Sequence, residues 1–194
     1  SQSPEFTNIS GGTFSEKPDS NYLAENMTAY SVGDKFVVGN AEDEGTLEDI
    51  VAAGAVAMIE GDSTVYYTSL ADAVKAAADG ATITLIADTL EQKQVNITKN
   101  LTIDLNGFDI VRDGASGSAI GIKGGYTLTL KGEGMIAAAG SSLPITRYLF
   151  GNTPYHVVSD AGIIYSRPIT KDWFAKNSYT LSYDSATGGF KVVE

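Results

Sequence analysis

Asp104 and Asp109 stand close together in the chain, and Arg112, Lys123 and Lys131 follow on later segments. Acids and cations gathered on one outward face are what cleavage of a glycan would use. Acid–base work by two carboxylates needs a separation of about 5–9.5 Å, and no pair here has a spacing that brings its members together. These side chains are therefore expected to be solvated outer-face residues. His156, the single histidine, lies in Tyr155-His156-Val157-Val158 with no nucleophile signature beside it; a structural role is expected. Ala41-Glu42-Asp43-Glu44-Gly45 is the densest acidic run. It lacks the alternating acids, the following Gly and the distal Glu of a calcium loop, so a solvated loop is expected. Gly121-Ile122-Lys123-Gly124-Gly125 and Lys131-Gly132-Glu133-Gly134 are Gly-rich but do not join a strand to a helix. They fit corners better than a phosphate cradle. Asn96-Ile97-Thr98 and Asn100-Leu101-Thr102 match the glycosylation pattern, which has meaning only in a eukaryotic secreted protein.

The rings offer a different chemistry, since Tyr and Trp stack on sugars and dominate protein hot spots. Tyr22, Tyr66, Tyr67, Tyr148, Phe150, Tyr155, Tyr165, Trp173, Phe174, Tyr179 and Tyr183 gather towards the two ends of the chain. Either they pack to close the fold, or some form an exposed patch for a partner. On the second reading Tyr165, Trp173, Phe174 and Tyr179 are the candidate ligand-binding residues.

Composition narrows what these residues can serve. The chain has 194 residues, enough for one sizeable core, and a net charge of −11 with 13 Lys plus Arg against 24 Asp plus Glu. That balance argues against nucleic acid or an anionic membrane as partner, because phosphate contacts need clustered cations. Cysteine is absent, which excludes disulfides, thiolate nucleophiles and Cys-based metal sites. One His excludes a two- or three-His metal site, and neither a metal nor any other cofactor is expected. No apolar stretch is long enough to insert in a membrane and no signal-peptide pattern is present. Residues 1–6, Ser-Gln-Ser-Pro-Glu-Phe, read as cloning residue, which would make the chain an excised fragment of a longer parent.

The elements that must position these groups are mostly short strands. Ser69, with Asp72 three residues on, caps a helix over 66–80, with Leu70, Val74 and Ala77 on one face and Gly80 as C-cap. A second helix is expected from Thr46 to Gly54, and Val56–Ile59 with Val65–Tyr67 reads as a hairpin. After Gly80 the period becomes two: 81–86, 101–105 and 126–130 put aliphatics on one face and Thr, Asp or Lys on the other. Strands recurring every ~20–25 residues between Gly or Asn-Gly corners are the sign of a solenoid, with an antiparallel sandwich as the alternative.

A longer repeat frames this region. Residues 13–26, TFSEKPDSNYLAEN, match 164–177, IYSRPITKDWFAKN, at an offset of 151: Phe14 with Tyr165, Ser15 with Ser166, Tyr22-Leu23 with Trp173-Phe174, and Ala24 and Asn26 with Ala175 and Asn177. Lys35-Phe36-Val37-Val38 likewise corresponds to Phe190-Lys191-Val192-Val193. The chain opens and closes with one kind of element.

Residues 9–26 (ISGGTFSEKPDSNYLAEN), VAAGAVAMI, YYTSLADAVKAAADGATITLIADT and ITKNLTIDLNGFDI together resemble the repeated modules of large secreted surface proteins of Gram-positive anaerobes, notably gut commensals. The resemblance covers residues 9–136 and fades over 140–160. It implies a right-handed parallel β-helix with a small α/β N-terminal cap, display outside the cell at the bacterial surface, and an adhesin-like or scaffolding role without catalysis. The expected partner is a host extracellular protein, such as immunoglobulin or a matrix protein, or a mucin glycan. A glycan-active β-helix enzyme and a pure stalk or spacer are the alternatives. The expected organisation is a closing element of a preceding module over 7–40, the α/β cap over 41–80, coils over 81–160 and a second closing element over 161–194.

Overall fold

In the computed structural model, which describes residues 8–149, 153–169, 174 and 179–193, the chain is mainly β with parallel sheet segments. Alternation of small and branched residues starts the chain as a three-stranded antiparallel unit. Strand β3 (Lys35–Gly39) lies between β1 (Gly12–Phe14) and β2 (Thr28–Val32), with Phe14 opposite Phe36 and Tyr30 opposite Val37. Helix α1 (Glu44–Ala52) follows. Its N-cap is Asp43, whose carboxylate accepts from Gly45 N at 3.1 Å, and not the expected Thr46. Thr46 is buried instead against Gly39, where any Cβ would collide with its side chain.

Strands β4 (Ala57–Ile59) and β5 (Val65–Tyr67) form the expected hairpin. The far edge of β5 pairs in parallel with β2 at Val32–Tyr66, so the hairpin continues the first unit. Val32, Val37, Ile50, Ala55 and Ile86 meet there in a small core of their own, with Tyr30 and Tyr66 edge to face at 5.7 Å. Helix α2 (Leu70–Ala76) begins at Ser69, whose hydroxyl accepts from Asp72 N at 3.1 Å and donates to Asp72 Oδ2 at 2.8 Å. It stops at Ala77, short of Gly80. Gly80 instead takes a positive φ at a corner and donates its N–H to Asn100 O at 2.7 Å.

From here short strands follow one another: β6 (Thr82–Leu85), β7 (Thr89–Glu91), β8 (Val95–Ile97), β9 (Leu101–Asp104), β10 (Ile110–Arg112), β11 (Ile120–Lys123), β12 (Thr127–Lys131), β13 (Gly134–Ala137), β14 (Ile145–Tyr148), β15 (His156–Ser159) and β16 (Ile163–Tyr165). From β6 to β13 each pairs in parallel with the third strand after it, giving the ladders β6-β9-β12-β15, β7-β10-β13-β16 and β8-β11-β14. Register stacks like on like. Ile83, Ile103 and Leu130 form one buried column, and Val95, Ile120 and Ile145 another. Each such side chain contributes about 1.5–3 kcal/mol relative to exposure. The facing Thr82, Thr102 and Thr129 form an outward column.

Corners are joined along the stack by side chains. Asn100 N donates to Asp79 Oδ1 at 2.8 Å, and Thr127 N donates to Asn100 Oδ1 at 3.0 Å. The antiparallel hairpin β17 (Thr180–Asp184) and β18 (Gly189–Val193) ends the chain, with β18 laid against β16 so that Tyr165 faces Phe190. The strand order β1-β3-β2 at the start thus recurs as β16-β18-β17 at the end. Within the described residues no helix is long and apolar enough to cross a membrane.

Candidate functional site

The ionic residues singled out in the sequence fall on different ladders. Asp104 ends β9 beside Lys131 of β12, Arg112 ends β10 and Lys123 ends β11. Their hydrogen bonds go mostly to backbone. Asp104 Oδ1 accepts from Asn106 N at 3.0 Å. Asp109 Oδ1 accepts from Met135 N at 2.7 Å, while Asp109 N donates to Asp88 Oδ1 at 2.8 Å. Arg112 Nη1 donates to Glu91 O at 3.0 Å and Asp113 O at 2.7 Å, and Lys123 Nζ lies 6.0 Å over the Tyr126 ring. An orphan N–H at each corner recruits a side-chain oxygen from the neighbouring level, which is why Asp109 faces the stack and not a substrate. Among the described residues no group of three or more His, Cys, Asp or Glu is placed to hold a metal. His156 is exposed at the start of β15, opposite Thr127.

Glu91 carries no sequence signal of its own, yet it is the buried carboxylate of this region. Its Oε1 accepts from Leu70 N at 3.0 Å and from Thr89 Oγ1 at 2.6 Å. It therefore fastens the first turn of α2 to β7. The alternation of Thr89-Leu90-Glu91 is inverted by this: Thr89 and Glu91 point in, and Leu90 is 62% exposed.

Three of the four candidate ring residues lie inside the structure rather than on its surface. Tyr165, Phe174 and Tyr179 are buried, at 0%, 3% and 4% exposure, and offer no ring face to a partner; Trp173 lies outside the described residues. Tyr165 continues the column of Ile110 and Ile136, and its hydroxyl donates to Ser159 Oγ at 2.8 Å. Burial pushes its phenol far above the ordinary range, against the smaller lowering by Ser159. Phe174 bridges to Val157 and meets Tyr179 edge to face at 5.5 Å. At the same level Arg147 stands in the column of Ile97 and Ile122, its guanidinium 5.8 Å from the buried Tyr155 ring. The last strands of the ladders thus carry rings and polar groups beside the buried aliphatics Ile145, Val157 and Ile163.

Two of the surface clefts among the described residues gather polar side chains. One, of about 490 Å³, lies beside β2 and β5 and is lined by Lys17, Tyr30, Ser31, Ser63 and Thr64 among others. The other, of about 320 Å³, runs between α2 and β8, where Lys75, Gln94, Asn96 and Thr98 converge. Lys99, on its rim, is already spent on the C-terminal end of α2, donating to Ala77 O at 2.6 Å and Lys75 O at 3.3 Å. Asn96 Oδ1 is buried in this cleft with no donor from the protein. Position 121 must be small, since a Cβ there would lie 2.7 Å from the Gln94 carboxamide and 3.0 Å from Asn96 Oδ1. Comparison of the chain with protein-family models, with curated proteins and with solved structures returns no match.

Proposed function

We propose that the three parallel ladders are the faces of a right-handed β-solenoid, and that the chain is a non-catalytic display scaffold or spacer of a bacterial surface protein. Pairing of each strand from β6 to β13 with its third successor supports the solenoid, and the strong preference of parallel crossovers for one hand supports its handedness. The observation that carries the functional reading is the use of the corner side-chain oxygens: the carboxylates of Asp79, Asp88 and Asp109 and the amide of Asn100 hold N–H groups of the next level. Groups committed to stacking in this way rigidify a rod, and these four are spent on backbone N–H groups. The acidic net charge and the lack of cysteine suit export to the cell surface. Incubation with acidic and neutral polysaccharides is expected to release neither reducing ends nor unsaturated sugars; release abolished by Asp104→Asn would overturn the scaffold reading.

The cleft between α2 and β8 favours a second reading, in which the scaffold also holds a host glycan. Planar amides, a lysine and a hydroxyl are what sugar hydroxyls bind, and Lys75, Gln94, Asn96 and Thr98 line this cleft. Saturable binding on a glycan array, lost in Gln94→Ala/Asn96→Ala with the melting temperature kept, would establish it. An array without binding leaves the spacer.

A further inference from the structure

We infer that the face of the first closing element carrying Phe14, Leu23 and Phe36 is a docking surface for the open end of a second coil stack built like residues 81–160 of this chain. The interface is already present once in the molecule. At the far end the equivalent residues sit on the coil stack: Tyr165 corresponds to Phe14 and Phe174 to Leu23 by the repeat, and Phe190 to Phe36 by the shared pairing of Phe14 with Phe36 and Tyr165 with Phe190, which shifts the last strand by one residue from the sequence match. Tyr165 and Phe174 are buried in the main core and Phe190 packs against it. In the first copy Phe14, Leu23 and Phe36 are all part-exposed, with no coil beneath them. The segment that leads in is alike too, since Ile9 bridges to Leu23 in parallel as Val157 of β15 does to Phe174. A face that covers a coil end in one copy has the shape and the apolar chemistry to cover one in the other.

The opposite faces show that docking runs one way. In the first copy Tyr30, Val32 and Val37 look away from that face and carry α1 and the β4-β5 hairpin. Aligned through Phe36 and Phe190, the equivalent residues of the last copy are Ser182, Asp184 and Lys191. Lys191 Nζ and Asp184 Oδ2 form an ion pair at 3.1 Å there. A charged face does not seat an apolar helix, so the first element accepts a unit on each side and the last accepts one only.

This rests on the solenoid reading to the extent that residues 81–160 form a stack whose end needs a cover, and the test separates the two. The chain is made in three forms: whole, ending at Asp160, and with residues 161–194 replaced by a second copy of 10–40. Amide hydrogen exchange is followed in β14 and β15. Protection is expected to fall about 100-fold on ending at Asp160 and to return to within about 10-fold of the whole chain in the chimera. Phe14→Ala with Phe36→Ala in the second copy should cost the chimera about 10-fold or more in protection, while the same pair in the first copy changes it less than about 3-fold. A chimera that fails to fold, or shows the same loss from either copy, overturns the docking surface and leaves the solenoid standing. Full protection in the chain ending at Asp160 overturns both.

Discussion

Tyr165 shows how a single residue in this fold does two jobs. Its ring continues an aliphatic column, and its hydroxyl reaches Ser159, which stands in the column of Ile83, Ile103 and Leu130. Burial raises its phenol above the ordinary value of 10.0, as it does for Tyr155. A group with a raised folded-state value stabilises the fold fully below its unfolded value, and that stability is lost as pH rises from there towards the folded value. Alkali should therefore destabilise the chain above pH 10. Tyr165→Phe is expected to cost about 1 kcal/mol near neutrality, from the lost hydrogen bond. It should also flatten the fall in melting temperature between about pH 8 and about pH 11, with Tyr155 supplying what remains of it. Melting curves of the two proteins at both pH values check this; parallel curves would show that the phenol at 165 does not couple to folding.

At the scale of the element, the corners decide how the strands stack. Asp109 accepts from Met135 N at 2.7 Å in the level above, and its own N–H donates to Asp88 Oδ1 at 2.8 Å in the level below. Asp109→Ala strands a backbone donor and should lower stability by about 1–3 kcal/mol, whereas Asp109→Asn keeps an accepting oxygen and should cost less than about 1 kcal/mol. Denaturant unfolding of both variants tests the ordering, and equal losses would mean that charge and not the hydrogen bond matters at this corner. The long strands β6, β9 and β12 were legible in the sequence because four or five residues of strict alternation expose a period of two. The strands β7, β8 and β10 have three residues each, too few to show any period. Gly121-Ile122-Lys123 was read as a corner for the same reason; it is strand β11, and the turn is Gly124-Gly125. The site was less legible still. Asp104 and Asp109 look alike in sequence, but only the pairing of levels shows that Asp109 faces a backbone N–H, and nothing local announces that Glu91 is drawn inward by the start of α2. For Tyr165 the residue type does not announce its burial, which depends on pairing with a strand more than twenty residues on, where it faces Phe190.

At the scale of the whole molecule, the described residues divide their apolar packing between two cores, a main one shared by α2 and the three ladders, and a smaller one of Val32, Val37, Ile50, Ala55 and Ile86 between the β1-β3-β2 unit and α1. They are joined through β4, which pairs with β5 on one side and β6 on the other. Separate cores linked by one strand open separately, because an opening need only break the contacts of its own unit. Ile50 is buried in the small core and Ile103 in the large one, so truncating either removes comparable volume, at about 2–5 kcal/mol. Ile50→Ala is expected to speed exchange of the β2, β3 and α1 amides while leaving β9 and β12 unchanged. Ile103→Ala should instead lower protection throughout the ladders and in α2, which packs on the same core. If Ile50→Ala accelerated β9 and β12 as strongly as β2, the two cores would belong to one cooperative unit. The first closing element would then hold the ladders as firmly as the last one does.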